Sequence, residues 1–245
     1  MESNTSSALP FRQTQTKDYP DANAASYRQS DLALSQIKAE IISCRLAPGT
    51  RFSEAEISTH LGLNRAAARV ALTRLSEMQL VEAIPRHGFM VVPITVPYVR
   101  DLFELRMMLE PKAALLASPR IEVQRLREIN QAPQMAKTQT EQLEFVDSNR
   151  AFHLEIAAAT GNARLLGLLS ALADEMQRLV HVGLFGSDEN DKERAVADSH
   201  HIELIAAFER RDGKAAERIT KRHIEHAQAL VMANILGQRP ALRKF

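Results

Sequence analysis

The chain has 245 residues, of which 45% are hydrophobic and 25% charged, with a formal net charge of +1. That balance is the one found in globular proteins of two ordinary domains, and it excludes disordered and fibrous classes. No apolar run approaches the ~20 residues that span a bilayer, and no basic start leads into an apolar core at the N-terminus. The expectation is therefore a cytoplasmic protein without a membrane segment. A single cysteine, Cys44, rules out an intrachain disulfide and a thiolate metal site.

Residues 1–29 are rich in Ser, Thr, Asn and Gln and hold few large apolar residues, so they are expected to form a flexible N-terminal arm. Asp31 is placed to cap a helix whose Leu34, Ile37 and Ile41 make an apolar stripe, and RLAPG at 45–49 then turns the chain. Ser53 and Glu56 have the spacing of a capping box, opening a short helix that stops at Gly62. Asn64 can cap the next helix, running to about Met78, with Ala67, Ala71, Leu75 and Met78 at helical spacing toward the core.

Arg65 and Arg69 share the opposite face of that helix. From Ile57 to Ser76 there are three arginines, Arg65, Arg69 and Arg74, and no acid, so the face is expected to be positive. Positive charge gives affinity for phosphates, and an arginine in a major groove can take the O6 and N7 of guanine. The run Ala66, Ala67, Ala68 is expected to let the helix lie deep in the groove. Two short apolar runs follow, Val81 to Pro85 and Phe89 to Val92, joined by Arg86, His87 and Gly88. They predict a two-stranded wing with His87 and Gly88 at its tip, where a glycine allows close approach to phosphate and Arg86 and His87 supply donors. The alternative is a solvated surface hairpin. Helix, helix, recognition helix and wing together make a winged helix-turn-helix.

From residue 96 onward the strand signal fades and apolar residues recur every three or four positions. The expected fold class is therefore mainly α: the winged head, residues 30–95, followed by an all-helical bundle of six or seven helices over residues 96–237, with 238–245 as a tail. Tyr98 to Ala117 is the first of these helices, with Leu102, Leu105, Leu109 and Leu116 among the expected buried positions. Pro111 lies inside it.

Later helices carry the candidate chemistry. Asn149 and His153 are four apart and share a face that Ile156 and Ala157 continue inward. His201 is turned inward by Leu204, Ile205 and Phe208, whereas His200 points about 100° away. His223 shares a face with Ala216, Ile219, Ala227 and Leu230. Three inward histidines with an amide oxygen beside one can converge on a divalent transition metal such as zinc, nickel or manganese. The other reading is that each is a satisfied core residue or lines a polar cavity. Asp147, six residues before His153, falls on another helix face. His181 stands either at the cavity or at the surface.

The segments RLAPGTRFSE, LGLNRAAARVAL and PRHGF resemble the head of the GntR superfamily of bacterial transcription regulators. FELRMMLEP, NRAFHLEIAAATGN and HIELIAAFERRDGKAAERITKRH resemble the FCD ligand-sensing domain of its FadR-type branch. The resemblance implies base contacts by Arg65 and Arg69, a phosphate contact by Asn64, and wing contacts by His87 and Gly88. It implies a metal bound by Asn149, His153, His201 and His223, with Asn149 standing where many members have Asp, so a neutral amide replaces a carboxylate. Arg106 occupies the position of an arginine that pairs with an effector carboxylate, the alternative being an ion pair with Glu110. Other departures are Asn64 for Ser or Thr, Ala67 near a usual Pro, Cys44 for Gly, and Ala55 where some members carry a DNA-contacting arginine.

The function that follows is a homodimeric regulator, a repressor, that grips a pseudo-palindromic operator of double-stranded DNA. A small organic acid in the metal-bearing domain changes how the heads are spaced. An alternative is a metal-dependent hydrolase fused to a DNA-targeting head, against which no HExxH or paired-carboxylate signature accompanies the histidines. A third reading makes the metal purely structural.

Overall fold

In a computed structural model, the chain is described over residues 22–131, 138–184 and 189–237. The expected tail, 238–245, and residues 1–21 of the expected arm lie outside these.

Helix α1 (Ala22–Ile42) begins nine residues before Asp31. Asp31 is therefore no cap, and the arm cannot extend to residue 29. The helix buries Ala33, Ile37 and Ile41 completely, with Leu34 only partly covered beside them. It ends at Ile42, and Cys44 in the turn that follows has a φ of 54°, in the left-handed region. That conformation is free for glycine and costly for any residue with a Cβ.

Strand β1 (Arg51–Phe52) was not foreseen, since two residues are too short to show alternation. Helix α2 (Glu54–Leu61) starts from the Ser53–Glu56 capping box and ends at Gly62 in the left-handed conformation. Helix α3 (Arg65–Glu77) is capped by Asn64, whose side-chain oxygen accepts from the Ala66 amide. The wing consists of β2 (Val81–Ile84) and β3 (Gly88–Val91), and the sheet order is β1-β3-β2, all antiparallel. Leu72, Leu75, Leu80 and Val91, all fully buried, join Ile37 and Ile41 in the head's core.

The second domain contains six helices among the described residues: α4 (Val96–Ala117), α5 (Val123–Ile129), α6 (Gln139–Ala159), α7 (Ala163–Leu184), α8 (Glu189–Glu209) and α9 (Gly213–Gly237). Thr95 caps α4 and Thr138 caps α6, the latter with Glu141 completing a capping box. A Cβ on Gly213 would stand 2.9 Å from the Leu115 carbonyl oxygen, so the missing side chain lets the start of α9 close on α4. Along α4 the expected burial holds for Leu102, while Leu109 is only partly covered. Leu105 and Leu116 instead point outward, 47% and 49% exposed, with Met108 beside them at 61%. The three fall within about 80° on one side of the helix at 100° per residue.

Head and bundle meet along α1 and α7. Arg178 of α7 is completely buried and donates to the Val92 carbonyl just after the wing. Lys38 of α1 reaches Asp174 of α7 at 2.6 Å. Tyr98 at the start of α4 donates to Glu175 at 2.8 Å, and Ile94, Val96 and Tyr98 pack onto the bundle's apolar core.

Candidate functional site

Two surfaces carry chemistry, the outer face of the head and a cavity in the bundle. On the head, Arg65 and Arg69 both lie on the exposed side of α3. Of the three alanines expected to admit the helix to a groove, only Ala66 is exposed, because Ala67 and Ala68 are packed into the core. The face is also less positive than its own sequence suggests. Glu54, from the start of α2, receives the Arg69 guanidinium at 3.0 Å, and Asp31 of α1 receives Arg74 at 2.6 Å. Both acids come from outside the stretch that holds the arginines. Arg65 makes no ion pair among the described residues.

At the wing, Pro85, Arg86 and His87 form the exposed turn, with the His87 amide bonded to the Ile84 carbonyl at 2.9 Å. Arg86 has a φ of 68°. Gly88 is not at the tip but opens β3, and its φ is 85°. A Cβ there would stand 2.4 Å from the Phe52 carbonyl oxygen. The glycine thus lets β1 approach the wing, a structural requirement within the head.

In the bundle, α6, α8 and α9 bring His153, His201 and His223 together. One ring nitrogen of each lies within 4.8 Å of the others. Ring centroids are 5.5 Å apart for His153 and His201, 5.2 Å for His153 and His223, and 4.9 Å for His201 and His223. Phe152 stacks on His201 at 4.1 Å and fixes its plane.

The protonation pattern follows from the outer hydrogen bonds. His153 Nδ1 faces a Glu110 carboxylate oxygen at 3.3 Å, so that nitrogen carries the proton. Asn130 donates through Nδ2 to Asp198 and turns its Oδ1 to His201 Nδ1 at 3.0 Å, so this nitrogen also donates. Among the described residues, His153 Nε2, His201 Nε2 and His223 Nδ1 have no hydrogen-bond partner although all three atoms are buried. Buried lone pairs without donors are unfavourable unless an acceptor-seeking group stands among them. A divalent metal fits that donor set, with Glu110 and Asn130 orienting the ligands from behind.

Burial pushes the His201 and His223 pKa values well below the ordinary imidazole value, and the neighbouring histidines push the same way. Both rings are therefore held neutral, the form that binds metal. Burial alone would raise the Glu110 carboxyl, but the Arg106 guanidinium and His153 outweigh it and hold it below the usual carboxylate range.

Asn149 lines the same cavity as His153, along with Arg106, Glu110, Arg150 and Met176. The cavity holds about 20 Å³, room for a water or an ion. Arg106 is 3% exposed and pairs with Glu110 at 2.5 Å, so the helix-internal ion pair forms and the guanidinium also borders the cavity. His200 is buried beside His223, centroids 5.9 Å apart, but stands outside the ligating group. Asp147 is engaged by Gln177 at 2.8 Å. His181 is not among the residues that line the cavity. Burial first and Arg45 second lower its pKa. Sequence reading missed Glu110 as a support for His153, although its place four residues after Arg106 was visible. It also missed Asn130, which no spacing ties to the histidines.

Residues 30–91 match the profile of bacterial regulatory proteins of the gntR family, and residues 101–226 match the FCD domain. The chain belongs to the GntR family. Its GntR relatives include the HTH-type transcriptional repressor RspR of Escherichia coli K12, 24% identical over 192 residues that cover 77% of this chain and 82% of RspR. The regulator YdfH of Escherichia coli O6:H1 is 24% identical over 87% of this chain and 90% of its own. In fold, the chain is similar to E. coli McbR/YncC, with a TM-score of 0.73 at 20% identity over 84% of this chain and 98% of that one. A GntR regulator from Rhodococcus sp. RHA1 has a TM-score of 0.71 at 21% identity, over 84% of this chain and 98% of its own. The chain is thus a GntR-family transcription regulator with an FCD ligand-binding domain, and its domains and relatives are those of a regulator rather than an enzyme. Among the described residues no helix is long and apolar enough to cross a membrane.

Proposed function

We propose that this GntR regulator is a metal-bearing sensor of a small organic acid that represses transcription as a homodimer on a pseudo-palindromic operator. The observation that carries the reading is the convergence of three buried, unpartnered ring nitrogens, one of them on His153, which also lines a cavity with Asn149, Arg106 and Arg150. His153, His201 and His223 would hold the ion, with Asn149 as a neutral fourth ligand, and zinc, nickel or manganese suits such nitrogen-rich sites. A metal with an open coordination position binds a carboxylate directly. This chain's own part is to keep His201 and His223 neutral, to orient the rings and to place guanidinium groups beside the acid.

At about 20 Å³ the cavity beside His153 has room for a water or an ion, so an acid enters only as its lining side chains move. That requirement suits a switch, since a ligand shifts an equilibrium only through its preference for one arrangement. Repression is inferred from RspR, which is a repressor. The exposed row of Leu105, Met108 and Leu116 on α4 supplies an apolar face for a second copy. On the operator, Arg65 and Arg69 would reach bases, and Asn64, Arg74, Arg86 and His87 would lie along the backbone, with Gly88 shaping the wing behind them.

The test is thermal unfolding of purified protein against a panel of metabolic carboxylic acids, metal-loaded and chelated. Stabilisation by an acid only in the loaded protein supports the reading. Stabilisation by metal with no response to any acid assigns the ion a purely structural role, and no response to metal overturns the site.

A further inference from the structure

Arg106 and Arg150 both border the cavity, but they differ in what they hold. Arg106 is 3% exposed, with Nε and Nη2 on Glu110 and Nη1 3.4 Å from the Met176 sulfur. Glu110 in turn orients His153. Arg150 is more open, 29% exposed, and its Nε lies 2.9 Å from Asp174 Oδ1. Asp174 is a bridging carboxylate: Oδ1 takes Arg150 of α6, and Oδ2 takes Lys38 of α1 at 2.6 Å. One nearly buried acid on α7 is therefore shared between a residue that lines the cavity and a residue of the DNA-binding head.

We propose that Arg150 is the residue through which occupancy of the cavity reaches the DNA-binding head, by way of Asp174 and Lys38. The proposal rests on the reading that the cavity receives an acid. A carboxylate entering beside Asn149 meets Arg150 as the accessible guanidinium and competes with Asp174 for it. A buried carboxylate that loses one of two cationic partners is left under-satisfied, so Asp174 turns toward water and away from Lys38. The ion pair between α1 and α7 then loosens, while the Arg178 contact to Val92 stays. Occupancy thereby acts on the seat of α1, which carries the head's core residues Ile37 and Ile41.

The test needs neither effector nor DNA, so it stands apart from the function reading, which the acid panel decides. Backbone hydrogen exchange is followed in α1 of the full chain for the parent, Arg150→Gln, Lys38→Gln and the double variant. Arg150→Gln, although in the other domain, is expected to speed α1 exchange about 5-fold or more. Lys38→Gln should do the same, and the double variant should exceed neither single, because all three break one chain of contacts. Arg150→Lys, which keeps a cation for Asp174, should return α1 toward the parent. Parent-like α1 exchange in a folded Arg150→Gln, or effects that multiply in the double variant, would overturn the proposal. If Arg150→Gln fails to fold, Asp174→Asn carries the same expectation and the same contrary result.

Discussion

Replacing Gly88 by alanine separates a glycine needed for the head's own packing from one needed for contact with DNA. At φ 85° an L-residue is strained, by about 1–2 kcal/mol for left-handed backbone. The new methyl carbon would stand 2.4 Å from the Phe52 carbonyl oxygen and 3.1 Å from the Ser53 Cα. These are backbone atoms of β1 and the α2 cap, and Phe52 is paired with Phe89 of β3, so neither can swing aside without opening the sheet. Forced overpacking of this kind adds about 1–3 kcal/mol. The sum, ~2–5 kcal/mol, corresponds to a drop of roughly 8 °C or more for a small domain. The assay is thermal unfolding of the free protein, with no DNA present, followed by a probe of the head. A Gly88→Ala protein that melts with the parent and loses only DNA affinity would refute the packing argument and restore the glycine to the phosphate contact.

Other outcomes follow from particular side chains. Cys44→Gly should raise stability by about 1 kcal/mol, measured by denaturant unfolding, because it removes left-handed strain at φ 54°. His181 has its pKa lowered from the usual 6.5 by burial and by Arg45. The folded protein therefore binds this proton less readily than the unfolded chain, so its contribution is intact above about pH 6.5 and is lost as pH falls below it. The pH dependence of unfolding should accordingly be shallower in His181→Gln than in the parent, and parallel profiles would contradict this. Met108→Glu, which puts a charge in the exposed row of α4, should convert dimer to monomer in sedimentation without lowering the monomer's melting temperature. His201→Ala should abolish stabilisation by added zinc while leaving the head's transition unchanged.

The head was the most legible part of the sequence because its signals are local. The Ser53–Glu56 box, the Asn64 cap and the Gly62 stop each involve residues within a few positions, and each forms as the spacing predicts. Periodicity likewise turned His153, His201 and His223 inward, and the structure brings them together. What escaped depends on distant partners. Glu54 and Asp31 meet Arg69 and Arg74 only after folding, so the recognition face looked more positive in sequence than it is. Leu105 and Leu116 have core-like spacing, but one stripe of α4 is left uncovered by the helices that pack on it. Asp31 looked like a cap because the helical residues before it are polar and weakly patterned. Asn130 and Asp174 act through tertiary contacts that spacing along the chain cannot encode.

The central claim, a regulator that reads DNA through α3, is tested most directly by selecting duplexes from a random pool with the full-length protein, then repeating the selection with Arg65→Ala. The account predicts enrichment of an inverted repeat by the parent and, on that repeat, a loss of about 1–3 kcal/mol for the variant with relaxed preference at one base of each half-site. Absence of any enriched sequence, or the same repeat selected equally well without Arg65, would contradict it.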